Sequence, residues 1–301
     1  MPELMRRHAG LFYALFTLLT WAAFPVASRV AGTGTLTLFD TLALRLGTAA
    51  LALSPWWVPR LLRPELRQLP WRRVLAFSAV TGLAYPILAY AALRYAPAVH
   101  GAVFLSGLLP VLTSVLVWVW MRELPSAHTR RCLVLVLSGV MLLWLQDLWR
   151  NGVHANVLWG DALLVLASGA WALFTVMLKH WKARAFDVTL ATVAVASMVY
   201  LPVYAFLLPS RITEAPWHEV VFQASFQGFL LPVVAMFTYA RAVELLGAVQ
   251  TVILLAATPV VGALMAWVFL GESLPVLALL GALLVFAGSA WSAMNSGKLS
   301  K

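Results

Sequence analysis

Arg45 is a single guanidinium within an otherwise apolar stretch of about twenty residues. A central arginine costs a membrane helix about 2.5–3.5 kcal/mol, so it must face a cavity or a partner. Two roles fit it: binding a substrate carboxylate, or clamping helix ends and carbonyls. Asp40 is the nearest acid, but a separation of five residues is a poor same-face spacing on a helix. Pro110 and Pro259 each fall about halfway along an apolar run. Proline lacks an N–H and clashes with the carbonyl four residues back, which frees the carbonyls of Ser106 and Leu255. In hydrocarbon a freed carbonyl needs a partner or a wet cavity. The expectation is a matched pair of kinks beside a substrate path; plain packing kinks are the alternative.

The sequence holds 14 Trp, 7 Tyr and 15 Phe. Trp56, Trp57, Trp71, Trp149 and Trp217 stand at the ends of apolar runs and read as interface anchors. Trp21, Tyr85, Tyr90, Trp171, Tyr239 and Trp267 lie deeper. Together they predict a cavity whose rings favour apolar or aromatic cargo and whose hydroxyls orient its polar end; singly, each also suits plain packing. His100 reads as a polar interfacial residue, or as a proton-sensing one, since histidine titrates near neutral pH. Ala98, Ala102 and Ser106, and likewise Gly262 and Ala266, have the four-residue spacing that lets helices approach closely.

Other chemistry is missing. Cys132 is the only cysteine, so an intrachain disulfide and a Cys-based metal cluster are excluded. There is no H-E-x-x-H, no G-x-S-x-G and no glycine-rich phosphate loop, so neither an enzyme nor ATP-driven work is expected, and no cofactor or metal. No acid lies deep in the first apolar run, where a carboxylate would both bind a cation and take up a proton. Zwitterionic or neutral cargo is therefore favoured. Glu123 and Glu272 sit at the ends of apolar runs, where helix-end contacts or salt bridges account for them.

These residues must be positioned by helices in lipid. Hydrophobic residues make up 62% of the 301-residue chain and charged ones 11%, under half the roughly 25% of soluble domains. Such a chain cannot build a charged surface, so lipid must solvate it. The net charge of +10 comes from residues between apolar runs rather than from a basic domain, so nucleic acid is not an expected partner. About 20 apolar residues cross a roughly 30 Å core. Windows of that length predict ten spans near 10–31, 35–55, 74–93, 98–121, 131–147, 158–178, 187–208, 226–244, 248–270 and 274–293. Gln223, Ser225 and Gln227 blur the start of the eighth. The basic residues before the first span resemble a leader's start, but the apolar run at 10–27 is long enough to span and is read as the first helix.

With a cytoplasmic N-terminus, that side receives Arg6, Arg7, Arg60, Arg63, Arg67, Arg72, Arg73, Arg122, Arg130, Arg131, Lys179, Lys182, Arg184, Arg241, Lys298 and Lys301. The other side receives Arg29, Arg94, Arg150 and Arg211. This bias predicts both termini in the cytoplasm and an even number of spans.

The chain also matches itself. At a shift of 149, Tyr90-Ala91 meets Tyr239-Ala240, Pro110-Val111 meets Pro259-Val260, Trp118-Val119 meets Trp267-Val268, Glu123 meets Glu272 and Gly139 meets Gly288. At 150, Gly10, Trp21, Ala22 and Phe24 meet Gly160, Trp171, Ala172 and Phe174. The halves, 1–150 and 151–301, hold five predicted spans each. Five is odd, so the second half is expected to enter the bilayer inverted, a recurring plan of secondary transporters with a site near the midplane. A channel, a receptor or an intramembrane enzyme rarely needs such symmetry.

The segment Phe269-Leu270-Gly271-Glu272-Ser273, followed by Gly281 and Gly288, resembles the end of an EamA repeat of the drug/metabolite transporter superfamily. Pro110-Val111 running on to Glu123 resembles it too, with Arg122 in place of the glycine before the glutamate. Arg45 also resembles a recurrent position of that family. The resemblance spans nearly the whole chain. It implies an all-α membrane protein of ten helices, two inverted five-helix repeats around a central cavity. Within the superfamily, chain length and aromatic content look most like bacterial exporters of aromatic and neutral amino acids, the YddG type. A monomer in a bacterial inner membrane, contacting lipid and a small-molecule substrate, is the resulting expectation, with carriers of other metabolites or drugs as the alternative.

Overall fold

The computed structural model describes residues 3–62, 69–152 and 154–296. Arg63, Arg67, Lys298 and Lys301 of the charge argument lie outside them. Nine helices are long and apolar enough to cross a membrane among the described residues: α1 (Met5–Thr33), α3 (Trp71–Tyr95), α4 (Ala98–Met121), α5 (Ala127–Arg150), α6 (Ala155–Trp181), α7 (Ala185–Leu207), α8 (Trp217–Leu246), α9 (Ala248–Leu270) and α10 (Val276–Met294). The helix α2 (Leu38–Leu62) has the length as well, at 25 residues, but Asp40, Arg45 and Arg60 make it more polar. Large apolar side chains such as Phe12, Leu51, Trp149 and Phe206 are exposed. An exterior of this kind is stable only against lipid, so the chain is a multi-pass membrane protein.

The expected eighth span begins nine residues late: α8 starts at Trp217 rather than at 226. The glutamines that blurred it are fully buried and bonded to other helices, so they face the bundle instead of ending the span.

Helix breaks follow proline, but not in the matched way expected. In α9, Pro259 separates Ala248–Leu255 from Thr258–Leu270, and the freed Leu255 carbonyl is taken by the Thr258 hydroxyl. In α4 the helix runs through Pro110 without interruption. The two prolines therefore differ in their effect on the hydrogen-bond ladder, which is broken ahead of Pro259 and continuous through Pro110. Another break falls at Ala23 in α1, ahead of Pro25. Wide i→i+5 turns occupy Ser78–Ala84 in α3 and Ala224–Ala235 in α8, overlapping at the 149-residue register.

Other features keep that register. The ends of α4 and α9 are both closed by a left-handed residue, Arg122 (φ 60°) and Gly271 (φ 65°). Their N–H groups donate to the carbonyls of Trp118 and Trp267 at 3.0 and 3.1 Å. The arginine standing where the other half has glycine leaves the turn unchanged, although a non-glycine residue there costs roughly 1–2 kcal/mol.

The helices α5 and α10 pack closely together, α4 crosses α9 and α6, α3 packs on α6, α1 on α8, and α2 on α7 and α8. Small residues set these distances. As the four-residue spacing predicted, Gly262 lies where a side chain would meet Ala102; a side chain at Gly139 or Gly281, which that spacing did not single out, would meet the other's carbonyl oxygen. Gly139→Leu should therefore force α5 off α10 and cost about 1–3 kcal/mol. A lowered melting temperature in detergent checks this; an unchanged one would mean that the helices separate freely.

Candidate functional site

The polar groups inside the bundle gather where α1, α2, α3 and α8 meet. Arg45 Nη1 donates to Gln227 Oε1 at 3.3 Å, and the Tyr90 hydroxyl donates to the same oxygen at 3.1 Å. Gln227 Nε2 donates to Ser28 Oγ at 3.1 Å. One turn earlier, Gln223 Nε2 donates to the Ala27 carbonyl at 3.0 Å. The wide turns of α8 carry Gln227, and Pro25 and the break at Ala23 bring Ser28 and Ala27 across to it. A guanidinium has five N–H donors. Arg45 spends one on Gln227 and lies beside the Tyr90 hydroxyl, forms no ion pair among the described residues, and is only partly buried. Asp40 does not pair with it. Its carboxylate instead accepts from the Tyr204 and Ser210 hydroxyls at 2.6 and 2.7 Å and from the N–H groups of Thr37 and Arg211.

Rings adjoin this cluster. Tyr85 lies 4.8 Å from Trp171 and 6.0 Å from Phe24, centroid to centroid, and Trp171 continues to Phe174 at 5.4 Å. Tyr90 touches Phe24 at 6.3 Å. Trp21 and Tyr239 form a second pair at 5.4 Å. Arg45, Tyr85, Tyr90 and Trp171 are thus connected, and Trp21 with Tyr239 stands as a separate unit. Ser106 and Pro110 are half-buried on α4, and Pro259 is buried on α9. Trp267 is not with them. It is 54% exposed beside exposed Val268 and Phe269, as is its counterpart Trp118, because the end of α9 turns this side outward.

Sequence reasoning missed Gln227 as the anchor of Arg45. Two glutamines four residues apart on an apolar helix share a face and were its signal. His100, expected at the interface, is buried and pairs through Nδ1 with Asp161 Oδ1 at 2.8 Å, joining α4 to α6. Separately, a pocket of about 240 Å3 lies at one rim, lined by Arg29, His100, Gln146, Asp147, Arg150 and Glu272 among others. None of the ten residues expected to line a cavity borders it. No group of three His, Cys, Asp or Glu side chains suits a metal among the described residues.

A family model described as the EamA-like transporter family matches the chain twice, over residues 8–145 and 158–294. No curated protein matches it. A solved structure described only as a crystal structure of a protein shares 18% identity, covering 98% of each chain with a TM-score of 0.63. At that identity the likeness concerns the fold alone.

Gln227→Leu should strand the Tyr90 and Ser28 hydroxyls, at about 1–3 kcal/mol for the unsatisfied groups. Thermal melting of the purified variant reads that loss; a melting curve equal to the parent's would mean that water or another side chain replaces the amide.

Proposed function

The chain belongs to the EamA-like transporter family, and from that premise we propose that it exports amino acids, aromatic and other neutral ones, by alternating access. In this reading all ten rods cross the bilayer, the two five-helix halves are inverted, and both chain ends lie in the cytoplasm of a bacterial cell. The protein acts as a monomer in the inner membrane. The observation that carries the substrate class is Arg45. A cation inside a membrane helix, held by a neutral amide and left without an acid, supports recognition of a carboxylate. The adjacent rings Tyr85, Trp171 and Phe24 suit an apolar or aromatic side chain. Gln227 orients the guanidinium without neutralising it, so its attraction for an anion is kept.

The cycle then needs little beyond this chain. A zwitterion enters from the cytoplasmic side, places its carboxylate on Arg45 and its side chain among the rings. The halves then rock about the bound molecule, and release follows on the other side. The sixteen-to-four distribution of basic residues supports the orientation.

Counterflow in proteoliposomes tests this. Labelled phenylalanine, tryptophan and small neutral amino acids should exchange, while decarboxylated drugs and nucleotide sugars should not. Arg45→Ala should cut exchange about ten- to hundredfold, the worth of a charge-assisted hydrogen bond of about 1.5–3 kcal/mol. If all the amino acids fail and another metabolite moves, the substrate assignment is wrong. Trp21→Ala or Trp171→Ala should slow exchange while the protein still purifies as a folded species. Normal exchange in both would remove these rings from the path.

A further inference from the structure

Glu272 follows the left-handed Gly271 at the end of α9, and its carboxylate grips the start of α4. Oε1 accepts from the Ala98 N–H at 2.8 Å and Oε2 from the Val99 N–H at 3.0 Å. First-turn N–H groups have no acceptor within their own helix, and the helix start favours negative charge. Arg29 completes the junction. Its Nε lies 3.9 Å from Glu272 Oε1, and its Nη1 donates to the Leu93 carbonyl near the end of α3 at 2.9 Å. The ends of α1, α3 and α9 and the start of α4 are thus tied together.

The repeat supplies the same parts at the opposite end. Glu123 corresponds to Glu272 and follows a left-handed residue in the same way. At a shift of 150 Lys179 corresponds to Arg29, and at 149 Gly247 and Ala248 correspond to Ala98 and Val99. There the parts stand apart. Glu123 and Lys179 are joined to each other at 2.7 Å, but both side chains are 54% exposed, against 16% for Glu272. The start of α9 has no side-chain cap among the described residues, and Gly247, Ala248 and Val249 are exposed. Packing is unequal in the same sense. The second half of α1 packs on the second half of α3, whereas their counterparts in α6 and α8 share no comparable interface.

Resting on the inverted-repeat transport reading, we propose that Glu272 and Glu123 are reciprocal latches. Glu272 ties the helix ends together at one end of the bundle in this structure, beneath the rim pocket that it lines. Glu123 takes the equivalent grip on the first turn of α9 when the other end closes and Glu272 lets go. Using one chemistry at both ends keeps the two states close in energy, so neither traps the carrier.

Maleimide labelling of the purified protein in a Cys132→Ser background tests the latch without any substrate. Val99→Cys reports the end tied by Glu272, and Ala248→Cys reports the opposite one. The parent should label slowly at Val99→Cys and quickly at Ala248→Cys. Adding Glu272→Gln should speed the first and slow the second, roughly five- to tenfold, as expected for losing a carboxylate at a helix start. Adding Glu123→Gln, at an exposed position that folding tolerates, should slow Val99→Cys labelling further. Unchanged rates at Val99→Cys with Glu123→Gln, or no acceleration with Glu272→Gln, would overturn the proposal. If the rates shift as stated but no amino acid is transported, the latch stands and the substrate assignment fails.

Discussion

Hydrocarbon offers no hydrogen bonds, so every polar group the chain carries into the bilayer must be satisfied by the chain itself. The bundle obeys this constraint at most positions. Asp40 is surrounded by donors from Thr37, Tyr204, Ser210 and Arg211. Glu219 accepts from the N–H groups of Thr35 and Leu36, and His100 is paired with Asp161. Asp40 and His100 each join two helices, and Glu219 fastens α8 to the loop between α1 and α2. Arg45 differs in charge balance, a cation given a neutral amide and the neighbouring Tyr90 hydroxyl but no acid among the described residues. A charge without a countercharge is the reason to look for an external partner there.

The repeat explains how one sequence plan yields two similar halves. Left-handed caps, wide turns and glycine contacts recur at one register, so the halves share their local geometry. They differ in how they are assembled. The helix of α4 runs unbroken through Pro110 while α9 breaks before Pro259, and the α1–α3 packing lacks an equivalent between α6 and α8. Local sequence sets the former features and tertiary packing the latter, which is why matched prolines produce unmatched helices.

Much of this was legible in the sequence. Apolar run lengths located the helices, because a bilayer fixes their span, and small-residue spacing marked where helices approach closely, though not which two would meet. Aromatic depth singled out Trp21, Tyr85, Tyr90, Trp171, Tyr239 and Trp267 as one set without showing which rings meet, and Trp267 faces outward because depth along a helix does not reveal which side a residue faces. Gln227 was hidden for a related reason. Polar residues at a span's edge look like its end, and only the packing of α8 against α1 and α2 shows them to be inside. Partners brought together from far apart in sequence, such as His100 with Asp161 or Glu272 with Ala98, leave no local periodicity to read.

The carboxylate is the feature of the substrate on which the account turns. Competition against bound labelled phenylalanine on the purified protein, comparing phenylalanine with its decarboxylated amine, isolates that group. The account predicts that the amine competes at least about tenfold more weakly, and that Arg45→Met abolishes the difference. An amine that competes as well as the amino acid, with Arg45 intact, would contradict it.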